Sequence, residues 1–103
     1  MIDAGLRLMG EKTGDVVEGV GAAIGGIGVE KFYIEDSSTE QTIPIDALIC
    51  KQSLEDAITT MKRPITRSVP DFVERIKMSI RKRTKEGSSV IVAGIGNTIG
   101  IGV

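Results

Sequence analysis

A glycine-rich apolar phrase occurs twice in this chain, at residues 19–29 (GVGAAIGGIGV) and at residues 94–103 (GIGNTIGIGV). Both copies contain the spacing G-x-G-x3-G, and only Gly87 separates the eight glycines of residues 1–28 from the four of residues 94–102. Because glycine adopts positive φ and lets backbones or ligands approach closely, we expect two glycine-rich loops here. These loops are predicted to form the functional surface.

Two interpretations of the glycine phrases stay open. They can serve as tight turns and close strand packing, or their backbone N–H groups can form a concavity that holds a small anionic ligand. Neither copy has the spacing of a Rossmann loop or the Gly-Lys-Ser/Thr ending of a P-loop, so no cofactor is specified. Polar Asn97 and Thr98 favour ligand contact in the second copy. The predicted ligand-binding residues are Gly19, Gly21, Gly25, Gly94, Gly96, Asn97, Thr98 and Gly100.

Length and composition bound the class of protein. With 103 residues and 41% hydrophobic content, residues 1–103 are expected to form a single domain, and the strand-like start indicates a piece of a longer protein. Aromatic residues make up only 3%, which disfavours nucleic-acid binding by base stacking. The lone cysteine, Cys50, fits a reducing cytoplasm, and no apolar run is long enough to predict membrane contact.

Charge is unevenly distributed along the chain. Residues 62–85 carry nine bases and two acids, for +7, whereas the remainder carries four bases and 12 acids, for −8. The basic segment is interpreted either as a solvated helix face that complements the helix dipole or as a patch for phosphate, nucleic acid or an acidic partner. The two regions are expected to attract each other.

Local patterns predict four strands and two helices. Strands are expected at residues 2–9, 29–34, 43–50 and 89–93, with a polar loop at residues 35–42. Ser53, with Asp56 three residues later, predicts the start of a first helix that Pro64 ends. A second helix is expected from Ser68, with Gly87 as its left-handed cap. Its apolar stripe comprises Val69, Phe72, Val73, Ile76 and Ile80.

These elements predict an α/β fold with a small mixed, partly parallel sheet. The two helices form a right-handed crossover that joins residues 45–50 to a parallel strand at residues 89–95. Ligands in such sheets bind beyond the carboxyl ends of strands, which here are residues 50–52 and 94–100. We also expect the two glycine phrases to lie at the same edge and approach each other.

The absence of histidine from the sequence excludes Ser-His and Cys-His nucleophile pairs within this chain and the commonest zinc ligand, so no metal site is predicted. Cys50 is interpreted as a buried, slowly reacting residue, the alternative being a thiol activated by the following helix. Asp3 and Asp46 lie in apolar strands. They are candidates for catalysis or binding, or for structural pairing with Lys51 or Arg7.

Three segments resemble a known family. Residues 2–14 (IDAGLRLMGEKTG), 18–30 and 91–98 (IVAGIGNT) look like the carboxy-terminal part of a family of uncharacterised archaeal proteins, a domain of unknown function. More distantly, Asp3 with the following glycines is similar to the strand-end acid of the spore germination protease. Residues 92–97 are similar to the Gly-x-Gly-Asn segment of hydrogenase maturation proteases. This likeness implies a peptidase-like α/β fold in which Asp3 is the strand-end acid.

The sequence thus predicts a cytoplasmic, homo-oligomeric domain that binds a ligand or partner through its glycine-rich loops. The alternative is a peptidase-like hydrolase in which Asp3 acts with an acid outside this chain.

Overall fold

The structure is a computed structural model that describes residues 1–21 and 29–95, with the backbone alone for residues 29–32 and 35. Its elements are three strands and three helices in mixed order. They are β1 (Ile2–Leu6), β2 (Val16–Val20), α1 (Val29–Glu40), β3 (Asp46–Gln52), α2 (Leu54–Ile58) and α3 (Arg63–Arg83).

The sheet has the order β1-β3-β2 and confirms the predicted mixed, partly parallel arrangement. β1 runs parallel to β3 with Ile2 opposite Leu48, and β2 runs antiparallel to β3 with Val16 opposite Cys50. The central strand β3 is buried from Ala47 to Lys51, and both of its edges are paired. The apolar run that predicted this strand therefore forms the core of the domain.

Residues 29–40 correct the prediction of a strand followed by a polar loop. They form α1, whose end is marked by Thr42 at φ 55° and by the hydrogen bond from the Ile43 amide to the Ser38 carbonyl. Strand composition was misleading because β-branched and aromatic residues cost a helix only a few tenths of a kcal/mol each. A 12-residue element is also long for a strand.

The predicted cap at Ser53 is confirmed, but the two prolines act differently from the prediction. The Asp56 amide donates to Ser53 Oγ at 3.0 Å and the Ser53 amide donates to Asp56 Oδ2 at 3.1 Å, which completes a capping box for α2. α2 already ends at Ile58. Pro64 starts α3 instead of ending α2, and Pro70, expected near a helix start, lies inside α3. Proline is tolerated in a first turn because that turn has no intrahelical acceptor for its N–H.

Helix α3 packs on the sheet through polar contacts as well as through its apolar stripe. Ser79 Oγ donates to Glu18 Oε1 at 2.7 Å, and the Arg83 guanidinium lies 3.1 Å from Asp46 Oδ1. Arg75 donates to the Val16 carbonyl. The basic helix therefore contacts acids of the sheet, as the charge distribution predicts. Its last residue is Arg83, so Gly87, at φ 87°, belongs to the following turn and is not the helix cap.

Residues 89–93 are exposed and form no regular strand, which corrects the prediction of a buried strand beside residues 45–50. Their continuation bonds to β1: the Ile2 amide donates to the Ala93 carbonyl, and the Ile95 amide donates to the Ile2 carbonyl. This parallel bridge pairs Gly94 with Ile2. Two residues along β1, the Ala4 amide donates to its neighbour's carboxylate, Asp3 Oδ1, at 2.7 Å. The Ala4 amide is therefore not donated to a neighbouring strand at the β1 edge.

Candidate functional site

The described glycines of the two phrases lie along opposite edges of the sheet. Gly19 belongs to β2 and pairs with Ala47, whereas Gly94 bridges to β1, and β1 and β3 lie between them. Gly21 follows β2 at φ 95°, and its amide donates to the Ile45 carbonyl at 2.9 Å. Gly19 and Gly94 are thus on different edge strands but level with neighbouring residues of β3, Ala47 and Leu48, and the expected approach of the two phrases stays a prediction. The predicted site residues Gly25, Gly96, Asn97, Thr98 and Gly100 lie outside the described residues.

A cleft of about 450 Å³ opens between the β1–β3 face of the sheet and helices α2 and α3. Its apolar lining is Ile2, Ala4, Met61, Ile65, Val69 and Phe72, and its polar lining is Cys50, Gln52, Asp56 and Ser68. Asp3, Gly94 and Ile95 border it at the β1 edge. The volume lies within the range of small-molecule sites, which are mostly apolar with a few polar groups.

The parallel register of β1 and β3 builds the floor of the cleft. Ala4 lies opposite Cys50, and side chains two residues apart along a strand share a face, so Ile2 and Gln52 lie on this face too. The small side chain of Ala4 leaves room above the strands. One of the two predicted post-strand segments, residues 50–52, therefore contributes to the cleft, together with Gly94 of the other.

Cys50 is buried at the floor, as predicted, and its thiol lies beside a serine hydroxyl. Its Sγ lies 3.7 Å from Ser68 Oγ, and Ser68 donates its hydroxyl hydrogen to the Ile65 carbonyl at 2.6 Å. The Ser68 oxygen is then an acceptor for the thiol hydrogen. The Cys50 thiol therefore lies within hydrogen-bonding reach of Ser68 at the base of the cleft.

Asp56 lies where the turn at residues 11–15 meets α2. Thr13 donates its hydroxyl to Asp56 Oδ2 at 2.8 Å. That hydrogen bond, followed by those from Ser53, lowers the pKa of the Asp56 carboxyl below its usual value. The same turn is held to β3 by the Gly14 amide, which donates to the Lys51 carbonyl at 2.8 Å. This end of the cleft therefore has a fixed negative charge.

Asp3 is only 8% exposed, and strand alternation places it on the face opposite Ala4 and Cys50. Its carboxylate reaches the β1 edge through the hydrogen bond from the Ala4 amide. Lys51, one of its two predicted partners, instead forms an ion pair with Glu11 at 3.5 Å and donates to the Leu6 carbonyl. Asp46 likewise departs from the prediction, since its partner is Arg83.

The described residues show neither a metal cluster nor a membrane span. Among residues 1–21 and 29–95, no three His, Cys, Asp or Glu side chains are grouped so that they could hold a metal ion. Within the same part of the chain, no helix is both long and apolar enough to cross a membrane.

Sequence reasoning missed the α3 side of the cleft. The sequence places Phe72 and Val69 in the apolar stripe of the second helix, and in the structure Val69 is 45% exposed and both residues line an open space. Ser68 was noted only as a helix start. Helical periodicity identifies which face of a helix is apolar, but it does not tell how much of that face the sheet covers.

One comparison with known proteins gives a match. A family model described as "Domain of unknown function (DUF1512) C-terminal" matches residues 1–102. No curated protein and no solved structure matches the chain. The match confirms the predicted carboxy-terminal part of a family of unknown function, while the archaeal source and the likeness to the two proteases stay predictions.

Proposed function

This chain belongs to the family described as the C-terminal domain of unknown function DUF1512, and we propose that it binds a small, largely apolar molecule in the cleft between β1–β3 and α3. The observation that carries the proposal is the cleft itself. At about 30 Å³ per molecule, its volume of about 450 Å³ corresponds to ~15 waters, which is room for a compact organic molecule.

The lining supports an apolar body with one or two hydrogen-bonding groups. Ile65, Val69 and Phe72 lie on one wall, and Ile2 and Ala4 lie on the floor. Burying a ligand's apolar surface against them gains roughly 25 cal/mol per Å² removed from water. The Gln52 amide and the Asp56 carboxylate offer polar contacts at the other end of the cleft.

Binding is favoured over catalysis by the chemistry of the floor. The thiol of Cys50 faces a serine hydroxyl, and the chain contains no histidine to act as its base. The polar groups of the cleft are also engaged in holding the fold: Ser68 donates within α3, and the Asp56 carboxylate accepts from the Ser53 amide and from the Thr13 hydroxyl. Groups held in this way can orient a ligand without reacting with it.

The single cysteine allows a direct test. The rates at which Cys50 reacts with hexyl methanethiosulfonate and with its charged trimethylammonium-ethyl analogue would be measured, and the ratio compared with that of an exposed cysteine. A variant that combines Ser88→Cys with Cys50→Ala provides this control. We expect slow labelling of Cys50 overall, with the hexyl reagent favoured at least ~10-fold relative to the control, which corresponds to burying about two methylene groups.

Filling the cleft should remove that preference. Ala4→Phe places a large side chain on the floor opposite Cys50, and we expect the hexyl rate at Cys50 to fall. Equal reagent ratios at Cys50 and at the exposed control cysteine would contradict the proposed site, and so would a hexyl rate that Ala4→Phe leaves unchanged.

A peptidase-like hydrolase that uses Asp3 is the second candidate. Its support is the burial of Asp3 at a strand edge beside Gly94, together with the sequence likeness described above. Such chemistry needs a second acid within about 3–10 Å, which this proposal places outside the chain. Hydrolysis of a fluorogenic peptide library by the longest natural form of the protein, abolished by Asp3→Asn, is the expected result. Hydrolysis that survives Asp3→Asn would contradict it.

Three further properties are part of the proposal. Self-association into a homo-oligomer is supported by exposed apolar residues beside the β1 edge, such as Ile91 at 91% exposure. A small anion at the glycine amides is to be tested by titration with inorganic phosphate. Cytoplasmic location follows from the lone cysteine and is tested by localising a tagged full-length protein.

A further inference from the structure

Residues 89–93 (SVIVA) combine strand composition with an open backbone. Val90, Ile91 and Val92 are 45%, 91% and 52% exposed, although β-branched residues of this kind pack well in sheets. Within the part of the chain that the structure describes, the backbone groups of residues 89–92 make no hydrogen bond, while Ala93 already bonds to β1. Among the described residues, the segment is therefore an unpaired stretch of strand-like composition that leads into the bridge at Gly94.

In the part of the chain that the structure describes, this segment lacks the features that protect an open strand. Natural proteins shield open strands with charges, proline or a covering element. Residues 87–93 contain no charged residue and no proline, and all of them are exposed. An uncharged stretch with the strand-forming centre Val90-Ile91-Val92 has the composition that pairs with another chain.

The sequence of the segment indicates which partner it fits. Val90-Ile91-Val92 reads the same in both directions, and small residues, Ser89 and Ala93, flank it. If two copies pair antiparallel about a two-fold axis at Ile91, each Val90 lies opposite the partner's Val92, and the two Ile91 residues face each other. Isologous pairing of this kind requires self-complementarity, which this stretch has.

We propose that residues 89–93 form the interface between two copies of this chain, as an antiparallel strand pair centred on Ile91. The inference rests on the self-association proposed above and is independent of the cleft. Pairing would join the two sheets at their β1 sides through the bridge at Gly94. Because the paired segment is short, the dimer belongs to the weak, transient class.

Sedimentation equilibrium over a concentration series tests whether the chain dimerises through residues 89–93. We expect the average mass to rise with concentration from 11.0 kDa towards twice that value. Ile91→Lys sets two like charges face to face and should keep the chain monomeric, without affecting folding at a site that is 91% exposed. Met9→Lys, at another fully exposed apolar residue, is the matched control and should dimerise like the unmodified chain.

Disulfide trapping tests the register. Residues directly opposite in an antiparallel pair have Cα atoms about 4.5–5.5 Å apart, which suits a disulfide. In a Cys50→Ala background, Ile91→Cys should form a covalent dimer with itself, and Val90→Cys should cross-link with Val92→Cys faster than with itself. Ser88→Cys, which lies outside the paired segment, should cross-link slowly. The same trapping in the unaltered Cys50 background checks that the background substitution is harmless.

The outcomes separate the two proposals. A constant mass of 11.0 kDa at all concentrations overturns self-association as a whole. A dimer that persists in Ile91→Lys would support self-association but would overturn this interface. Pairing of residues 89–93 with another segment of a longer natural chain would overturn the interface as well. Cross-linking without preference for position 91, or growth beyond two chains, overturns the two-fold register.

Discussion

Replacing Gly14 by alanine should destabilise the domain far more than the same change at Gly10. Both glycines have left-handed backbone, with φ of 96° at Gly14 and 90° at Gly10. A Cβ added at Gly14 would lie 2.8 Å from the Pro64 carbonyl oxygen and 3.3 Å from its carbon, whereas a Cβ at Gly10 would meet nothing within 4 Å. The pair of variants therefore separates steric clash from backbone strain.

The expected magnitudes follow from these two contributions. Left-handed backbone costs an alanine about 1–2 kcal/mol, and this cost applies to both variants. Overpacking against a backbone that cannot rotate away adds about 1–3 kcal/mol at Gly14 alone. The entropy change of the unfolded chain is the same for two Gly→Ala changes and cancels in the comparison. Against a total of roughly 5–15 kcal/mol for a small domain, the difference is large.

Urea unfolding followed by circular dichroism is the assay, with unchanged m-values as the condition for comparing free energies. Gly87→Ala, at φ 87° with open space around it, is a second control and should behave like Gly10→Ala. Because Pro64 starts α3, Gly14→Ala should also shift the cleft wall and speed the labelling of Cys50. Losses at Gly14 and Gly10 that agree within ~0.5 kcal/mol would refute the reasoning.

Two further predictions concern single polar contacts. The folded-state pKa of Asp56 is lowered, so its stabilising contribution is present above the unfolded value of about 3.9 and is lost as the pH falls below that value. We therefore expect the urea midpoints at pH 5 and pH 3 to differ less in Asp56→Asn than in the unmodified chain. An equal difference in the two proteins would contradict this prediction. Ser79→Ala removes the hydrogen bond to Glu18 and should cost about 1 kcal/mol in urea unfolding, because a charge-assisted bond of ~1.5–3 kcal/mol is partly offset by the better helix propensity of alanine. The same change at exposed Ser37 in α1 should be neutral or stabilising, and a similar loss at both sites would contradict the role of the Glu18 contact.

The sequence predicts well those local structures that depend on residues close together in the chain. The cap at Ser53 and Asp56 depends on atoms three residues apart, and it forms as expected. The apolar composition of residues 43–50, with Asp46 inside it, predicts a buried strand because a central strand in a parallel arrangement is covered on both faces. Pro64 marks a helix boundary, but a proline can follow the end of one helix or lie in the first turn of the next. The sequence therefore does not show to which helix Pro64 belongs.

What the sequence predicts poorly depends on distant partners. Residues 89–93 have strand composition, yet their pairing is limited to the bridge at Gly94, and composition cannot tell whether a partner strand is present. The cleft has the same origin. The cleft exists because of the distance between α3 and the sheet, which no single segment of the sequence determines. Its floor brings together Ala4 and Cys50, which are far apart in the chain.

The placement of β3 between the other two strands has a consequence for synthesis on the ribosome. β1 and β2 leave the ribosome before β3 and are adjacent in sequence, but each of them is bonded to β3 and not to the other. No part of the sheet can therefore close before Gln52 has left the ribosome, several seconds after Ile2 at typical rates of about 5–20 residues per second. During that interval both strands lack the partner to which they bond in the folded domain, so the sheet forms only after the middle of the domain has been synthesised.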